Sequence, residues 1–109
     1  AAARGPQGYE YSWGDKWQDD GCNSAESRLG RTSVVGVFPD NVSPCGAVDM
    51  TGNVWEWTAT GEDEGRVLRG GGWVDLSDGC SAWCRFHFTP QYRIHDFGFR
   101  LARTFQPDP

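Results

Sequence analysis

Apolar and polar residues along the chain follow no sustained helical period, and Gly or Pro interrupts the pattern at short intervals. Short strands are predicted where β-branched or aromatic residues cluster or alternate with polar ones. These segments are 33–38 (SVVGVF), 53–58 (NVWEWT), 66–68 (RVL) and 97–102 (FGFRLA). The pattern therefore predicts a loop-rich fold built on a few short strands.

The stretch from Trp73 to Asp96 differs from the rest, because it mixes charged and aromatic residues without helical or strand periodicity. Loops of this length in a compact domain are usually functional or disordered. Its aromatic residues argue against disorder, since disordered segments contain few of them. We therefore predict an ordered binding loop at 73–96. The glycines at 70–72 predict a sharp turn or a close backbone approach just before it.

Length, composition and charge limit the classes of protein to which this chain can belong. The chain has 109 residues, which is enough for one domain, and 38% hydrophobic residues, 14% aromatic residues and 15 glycines suit loop-rich β structure. A net charge of -5 disfavours a nucleic-acid partner, because such binding relies on clustered Lys and Arg. No apolar run approaches the roughly 20 residues that cross a bilayer, and residues 1–8 do not resemble a signal peptide. We expect a soluble chain that does not insert into membranes; the compartment stays open.

The cysteines do not form a recognisable metal framework. They are Cys22, Cys45, Cys80 and Cys84, and no paired C-x-x-C units are present. We expect free thiols. A local disulfide between Cys80 and Cys84 is the alternative, because the two lie close in sequence.

A series of motifs runs along nearly the whole chain and resembles the formylglycine-generating enzyme and sulfatase-modifying factor family. In order, the motifs are YSWGD (11–15), CNSAES (22–27), GRT (30–32), VGVFP (35–39), GAVDMTGNVWEWT (46–58), RVLRGGGW (66–73) and GFR (98–100). The resemblance implies an α+β class with little regular secondary structure, in a C-type-lectin-like fold of the formylglycine-generating enzyme type. It also implies that the amino-terminal half of the family domain is absent or truncated.

The same resemblance implies a calcium site in the DMTGNVWEW stretch. Carried over by position, its ligands are a side-chain oxygen of Asp49, the main-chain carbonyls of Gly52 and Val54, and the carboxylate of Glu56. Calcium prefers several hard oxygens of this kind.

Catalytic members of the family bind copper through two cysteines after the glycine run, and soft thiolates select Cu(I). In this chain the first of these positions holds Asp75 and the second holds Cys80. Cys84 as a second ligand departs from the family spacing. We therefore expect no copper centre and no catalytic residues. A copper-dependent oxidase that generates formylglycine from a cysteine in sulfatases is the alternative.

Residues after the glycine run follow a frame known from non-enzymatic relatives, in which the varied positions are rich in Asn. Most of the varied residues here are reached from an Asn codon by changing only its adenines, a pattern that resembles proteins diversified by a retroelement. Ordinary divergence of an exposed face is the competing interpretation. The predicted ligand-binding residues are Val74, Asp75, Leu76, Asp78, Trp83, Phe86, His87, Phe88, Tyr92, Ile94, His95 and Asp96.

The sequence thus predicts a non-catalytic module that presents 73–96 to a protein or other macromolecular ligand, since aromatic and polar groups together favour binding. Trp55, Trp57, Phe97 and Phe99 are expected in the core, because they alternate within predicted strands. Besides the oxidase, the other alternative is a structural fragment that folds only with a missing amino-terminal partner.

Overall fold

A computed structural model describes residues 2–61, 65–89, 91 and 93–102. Within them the regular structure is one 3₁₀ turn and four short strands. The turn is Ala25–Ser27, and the strands are β1 (Trp55–Trp57), β2 (Arg66–Arg69), β3 (Arg85–Phe88) and β4 (Phe97–Gly98). The described part contains no helix that is long and apolar enough to cross a membrane.

The four strands form one sheet in the order β3-β2-β1-β4. β2 runs antiparallel to both β1 and β3, whereas β4 is parallel to β1. Trp57 is opposite Leu68, which is opposite Phe86, so these three side chains share one face of the sheet. Glu56 and Arg69 are paired in the next register position and share the other face. The small sheet therefore has an apolar face and a face that carries charged residues.

The core is centred on this sheet. Trp55, Val67 and Leu68 are almost fully buried. The Trp57 and Phe97 rings meet edge to face at 5.7 Å, and the Phe97 ring meets Phe88 at 5.4 Å. These three rings are half-buried, and edge-to-face geometry is one of the favoured arrangements of aromatic pairs.

The predicted strand at 33–38 is wrong. Gly36 has a φ of +80°, and the amide of Val37 donates to the carbonyl of Val34, so the segment turns instead of extending. Val34 and Val35 are 78% and 71% exposed. A run of valines favours a strand only where neighbouring strands cover it, and here none does.

The strand predicted at 97–102 is confirmed only at Phe97–Gly98. Phe99, which was expected in the core, is 74% exposed, and Leu101 is 91% exposed. Arg100 leaves the sheet because its guanidinium group contacts Glu56 and the main chain of residues 48–49. The strands predicted at 53–58 and 66–68 are confirmed as β1 and β2 with shifted ends.

The segment 73–96 is not a loop throughout. Its residues 85–88 form β3, which pairs with β2 over four register positions. The RFHF sequence does alternate, but it is too short to stand out in a window without a period. The predicted binding loop is therefore anchored to the sheet at its middle and leads into β4 at its end.

Candidate functional site

The predicted ligand-binding residues divide by exposure. Seven are exposed: Val74, Leu76, Asp78, Trp83, Phe86, His87 and His95. Asp75, Phe88 and Ile94 are half-buried, and Asp96 is buried with 6% exposure. Tyr92 lies outside the described residues.

Asp96 does not lie on the exposed face, contrary to the prediction. Its main-chain carbonyl accepts a 2.6 Å hydrogen bond from the amide of Trp55, which begins β1. Its carboxylate packs against Gly72, where a Cβ atom would lie 2.9 Å from Asp96 Oδ2. Burial raises the pKa of Asp96, while nearby His95 acts in the opposite direction. Asp96 therefore helps to hold the exposed residues of 73–96 in place and is not one of them.

Exposed aromatic residues rest on specific partners. The Phe86 ring lies 4.6 Å from the buried Trp55 ring, and His95 lies 5.1 Å from Trp73. The Arg4 guanidinium group lies 4.6 Å from the Trp83 ring, within the range of a cation–π contact. These contacts hold one side of each ring and leave Trp83 and Phe86 49% and 45% exposed.

Asp75, at the position where the resemblance implies a copper cysteine, is hydrogen-bonded to groups of the scaffold. Its Oδ2 accepts a 2.6 Å hydrogen bond from the Trp55 indole Nε1 and a 2.8 Å bond from the Gly72 amide. Its main-chain carbonyl accepts a 2.8 Å bond from the amide of Ala25. The Asp75 carboxylate thus joins the turn after the glycine run to Trp55 of β1.

Cys80, at the position where the resemblance implies the second copper cysteine, is 1% exposed. The neighbouring Cys22 thiol, together with burial, raises the pKa of Cys80 well above its usual range. Cys84 is half-buried, and burial raises the pKa of that thiol as well. All four cysteines are free thiols. Neither Cys80 nor Cys84 is therefore an exposed, readily ionised ligand.

The predicted calcium ligands lie in a tight turn. Asp49, Gly52 and Asn53 have positive φ values of 57°, 75° and 71°, which fold the chain back on itself before β1. Asp49 is buried at 8% exposure, and its Oδ2 accepts a 2.7 Å hydrogen bond from the Gly36 amide. The amide of Gly52 donates a 2.7 Å bond to the carbonyl of Gly70. The turn is thereby fixed to the glycine run.

The guanidinium group of Arg100 lies at the edge of this turn. The Arg100 Nε lies 2.6 Å from Glu56 Oε1, and its second terminal nitrogen lies 2.8 Å from Glu56 Oε2. The same guanidinium donates to the carbonyls of Val48 and Asp49 at 2.8 and 3.0 Å. The oxygen donors at 49–56 fit the preference of calcium for hard ligands, but both oxygens of Glu56 are already paired. In the described ranges, no group of three His, Cys, Asp or Glu side chains converges as a metal site would require.

An open groove of about 620 Å³ lies apart from these residues in sequence. Its lining is mostly polar and includes Gln7, Tyr9, Trp13, Gln18 and Asp40. None of its lining residues comes from 73–96. Sequence reasoning assigned no function to it.

The sequence did not predict that Asn23 and Asn53 join several segments of the chain by hydrogen bonds. The Asn53 amide donates to the carbonyl of Asn23 at 2.7 Å, and the Asn53 carbonyl accepts a 2.9 Å bond from the amide of Trp73. Asn53 Oδ1 accepts a 2.9 Å bond from the amide of Ser33. Both asparagines belong to quoted motifs, but only the contacts reveal that they join the segments around the binding face.

Comparison with known proteins places these features in a family context. A model of the sulfatase-modifying factor enzyme 1-like domain matches residues 1–105. The inactive C-alpha-formylglycine-generating enzyme 2 of Bos taurus is 35% identical over 121 residues, which cover 94% of this chain and 40% of the relative. The formylglycine-generating enzyme of Mycobacterium tuberculosis is 42% identical over 72 residues, covering 54% of this chain and 23% of that enzyme.

Among solved structures, Treponema denticola variable protein 1 superimposes with a TM-score of 0.77 at 26% identity. The match covers 90% of this chain and 42% of that protein. The chain thus spans less than half the length of these relatives. The predicted fold is confirmed: a small mixed sheet with almost no helix matches a structure of the expected type.

Proposed function

Because this chain belongs to the sulfatase-modifying factor enzyme 1-like family, we propose that it is a non-catalytic module that uses the exposed positions of 73–96 to bind a protein or other macromolecular ligand. Its scaffold supplies a rigid support, and the varied side chains supply contact area and orientation. Aromatic groups suit this role because they give large contacts with little rotamer freedom to lose.

The observation that carries the proposal is the position of Asp75. The family resemblance implies a copper cysteine there, but the carboxylate binds the Trp55 indole and the Gly72 amide. A two-thiolate Cu(I) site lacks one of its soft ligands in this chain. The name of the Bos taurus relative, an inactive formylglycine-generating enzyme, supports the same interpretation.

Similarity to a variable protein supports the binding role. Treponema denticola variable protein 1 shares the fold, and seven of the twelve predicted ligand-binding residues are exposed in this chain. Diversification by a retroelement is our proposed origin for this variation, with ordinary divergence as the competing explanation. A near-identical repeat of the coding segment beside a reverse transcriptase gene would support the first origin.

The binding role is tested by comparing three immobilised proteins in quantitative capture from an extract of the source organism. They are the wild type, the face variant Leu76→Asp/Phe86→Asp, and the control Val34→Asp/Val35→Asp on the exposed turn. A partner of the face should be captured equally by the wild type and the control and at least roughly fivefold less by the face variant. If no captured protein distinguishes the face variant from the control, the proposal fails.

The alternative, a copper-dependent oxidase, is tested by titrating the reduced chain with Cu(I) against a chromogenic chelator. Oxygen uptake with a cysteine-containing sulfatase peptide is then measured. We expect no tight Cu(I) binding and no uptake above the copper-only control, since Asp75 replaces one thiolate. Copper-dependent uptake by the wild type that disappears in Cys80→Ala would establish the oxidase instead.

We also propose that calcium is bound by oxygens of Asp49, Gly52, Val54 and Glu56. The donor types support it, and Arg100 competes with it for Glu56. When bound, calcium would stabilise the turn and take no part in a reaction.

A further inference from the structure

Two arginines of like charge lie opposite each other on the charged face of the sheet. Arg69 of β2 and Arg85 of β3 are direct partners in the antiparallel register. Like charges in such positions destabilise a sheet, because the two Cβ atoms lie about 5 Å apart. A conflict of this kind between local sequence and fold is typical of a functional site.

Neither arginine is neutralised by a carboxylate of the described residues. Glu56 of β1 is the register partner of Arg69 on the other side, which makes it the nearest counter-ion in the sheet. Both oxygens of Glu56 bind Arg100 instead. Arg100 and Glu56 form an ion pair, and within the described ranges neither Arg69 nor Arg85 joins one. Their positive charge is therefore open to an external ligand.

A third guanidinium group lies beside this pair. Arg69 Nη1 donates a 2.9 Å hydrogen bond to the carbonyl of Ala82. The next residue is Trp83, and the Arg4 guanidinium lies 4.6 Å from its ring. Arg4 Nε is buried, and no acceptor in the described part of the chain binds it. Two cations thus lie against adjacent residues, and Arg85 follows two positions later; we call Arg4, Arg69 and Arg85 the arginine cluster.

The turn between these cations is fixed by hydrogen bonds of its own. The amide of Ala82 donates to the carbonyl of Glu10 at 2.7 Å, and the amide of Cys84 donates to the carbonyl of Ser81 at 3.0 Å. The amide of Trp83 donates to Ser81 Oγ at 3.3 Å. A ligand that binds here needs to order little of the backbone, which favours affinity.

The acidic side chains of the same region do not pair with the cluster. The Asp75 carboxylate binds the Trp55 indole. Asp78 is exposed, and it forms no ion pair with any residue that the structure describes. Burial raises the pKa of the Cys84 thiol and Asp75 acts in the same direction, whereas the charge of Arg69 opposes them. The positive charge of Arg69 is thus felt at the turn without a carboxylate bound to it.

We propose that the arginine cluster binds the carboxylates of an acidic protein segment, which also contacts the exposed part of the Trp83 ring. The inference rests on the proposed ligand-binding function and names the chemistry of the partner. A guanidinium group offers a planar fork of N–H donors that matches a carboxylate with two parallel hydrogen bonds. Trp and Arg also dominate the binding energy of protein interfaces. A protein fits better than a nucleic acid, because a net charge of -5 repels a continuous phosphate chain.

The test selects a displayed library of short random peptides on the immobilised wild-type chain. We expect the enriched peptides to contain more Asp and Glu than the starting library. In fluorescence anisotropy, an enriched synthetic peptide should bind at least roughly tenfold more weakly to Arg69→Gln/Arg85→Gln and roughly threefold more weakly to Arg4→Gln. Replacement of the peptide's Asp and Glu by Asn and Gln should weaken binding to the wild type to the same extent as the double variant.

The matched control is Arg28→Gln/Arg31→Gln, which removes the same charge from two exposed arginines outside the cluster. It should bind the peptide within about twofold of the wild type at physiological salt, since distant exposed charges are screened. Arg85→Gln alone guards against a folding defect, because Arg85 is exposed and its side chain makes no hydrogen bond to the described residues. It should melt like the wild type and still bind the peptide roughly threefold more weakly.

Enrichment of peptides without acidic residues, no enrichment, or equal affinity of the wild type and Arg69→Gln/Arg85→Gln would overturn the proposal. A single-stranded DNA oligonucleotide that binds more tightly than the peptide and loses affinity in the same variant would overturn it as well. The capture experiment separates this proposal from the binding role. A partner that is lost from Leu76→Asp/Phe86→Asp but captured equally by Arg69→Gln/Arg85→Gln would support the binding role and exclude the arginine cluster from it.

Discussion

The indole Nε1 of Trp55 donates a 2.6 Å hydrogen bond to the carboxylate of Asp75, which joins the most buried residue of β1 to the turn after the glycine run. Trp55 is 1% exposed, so no solvent replaces this acceptor if it is removed. The same carboxylate oxygen accepts from the Gly72 amide. Asp75 therefore determines how the 73–96 segment leaves the sheet.

Replacement of Asp75 by Ala should lower the free energy of unfolding by about 2 to 3 kcal/mol, because a buried indole N–H and a backbone N–H lose a charged acceptor. Urea denaturation followed by tryptophan fluorescence measures the loss. Asp78→Ala is the matched control, since Asp78 is exposed in the same segment, and it should change stability by less than about 0.5 kcal/mol. Equal losses in the two variants would contradict the structural role of Asp75.

Asp75→Cys tests the copper argument directly. The substitution restores the thiol that the family resemblance implies at this position, so Cu(I) affinity should rise by at least roughly tenfold over the wild type. Asp75→Ser controls for the lost carboxylate. Competition with a chromogenic Cu(I) chelator measures all three proteins. A wild type that binds Cu(I) as tightly as Asp75→Cys would show that a second ligand is already present.

The exposed face should tolerate substitution. Val74 and Leu76 are 45% and 63% exposed, so Val74→Asn and Leu76→Asn should each change the free energy of unfolding by less than about 0.5 kcal/mol. Val67→Asn is the contrasting control, because Val67 is fully buried in β2, and it should cost about 3 kcal/mol or more. Thermal melting of the three variants provides the comparison. Losses at Val74 and Leu76 close to that at Val67 would rule out a tolerant surface.

The family motifs predicted the fold class. The strand β1 was predicted because aromatic and polar residues alternate in it, and β2 was predicted because apolar residues cluster at 67–68. The sequence pattern failed at 33–38, where Gly36 turns the chain and the valines face solvent. It also missed β3, since a strand of four residues is defined by its pairing with β2 more than by its own pattern. Long-range pairing cannot be read from one local window.

The candidate site was predictable in outline and not in detail. Exposure of Leu76 and Phe86 agrees with a face built from varied positions, whereas Asp96 proved to be buried against Gly72. A charged residue type normally indicates exposure. Only the close approach of the glycine backbone shows why this one is enclosed.

Asp96 should make stability depend on pH. Burial raises its pKa from the ordinary value of 3.8, and Asp75 acts in the same direction while His95 opposes it. Between the unfolded and the raised folded pKa, the native state holds more protons, so stability falls as pH rises through that window. Asp96→Asn, which carries no charge, should therefore gain stability relative to the wild type on going from about pH 4 to about pH 7. Urea denaturation across this range measures the difference.

The control for that experiment is Asp78→Asn, which removes an exposed carboxylate from the same segment. Its stability relative to the wild type should change little over the same pH range. A difference between Asp96→Asn and the wild type that stays constant with pH would mean that Asp96 titrates alike in both states.

Arg100 links the closing GFR motif to the predicted calcium turn, and its removal should both destabilise the chain and change its response to calcium. The guanidinium group makes two bonds to Glu56 and two to main-chain carbonyls, and hydrogen bonding to Glu56 raises the pKa of Arg100. Its side chain is 36% exposed, so solvent screening limits the loss in Arg100→Gln to about 1 to 2 kcal/mol.

The same variant frees the carboxylate of Glu56, so calcium should raise its melting temperature more than that of the wild type. In Arg100→Gln/Glu56→Gln the added effect of calcium should disappear, because Glu56 is then neutral. Differential scanning fluorimetry with calcium or with a chelator measures all three proteins, and an equal calcium response in Arg100→Gln and the double variant would exclude Glu56 as a ligand.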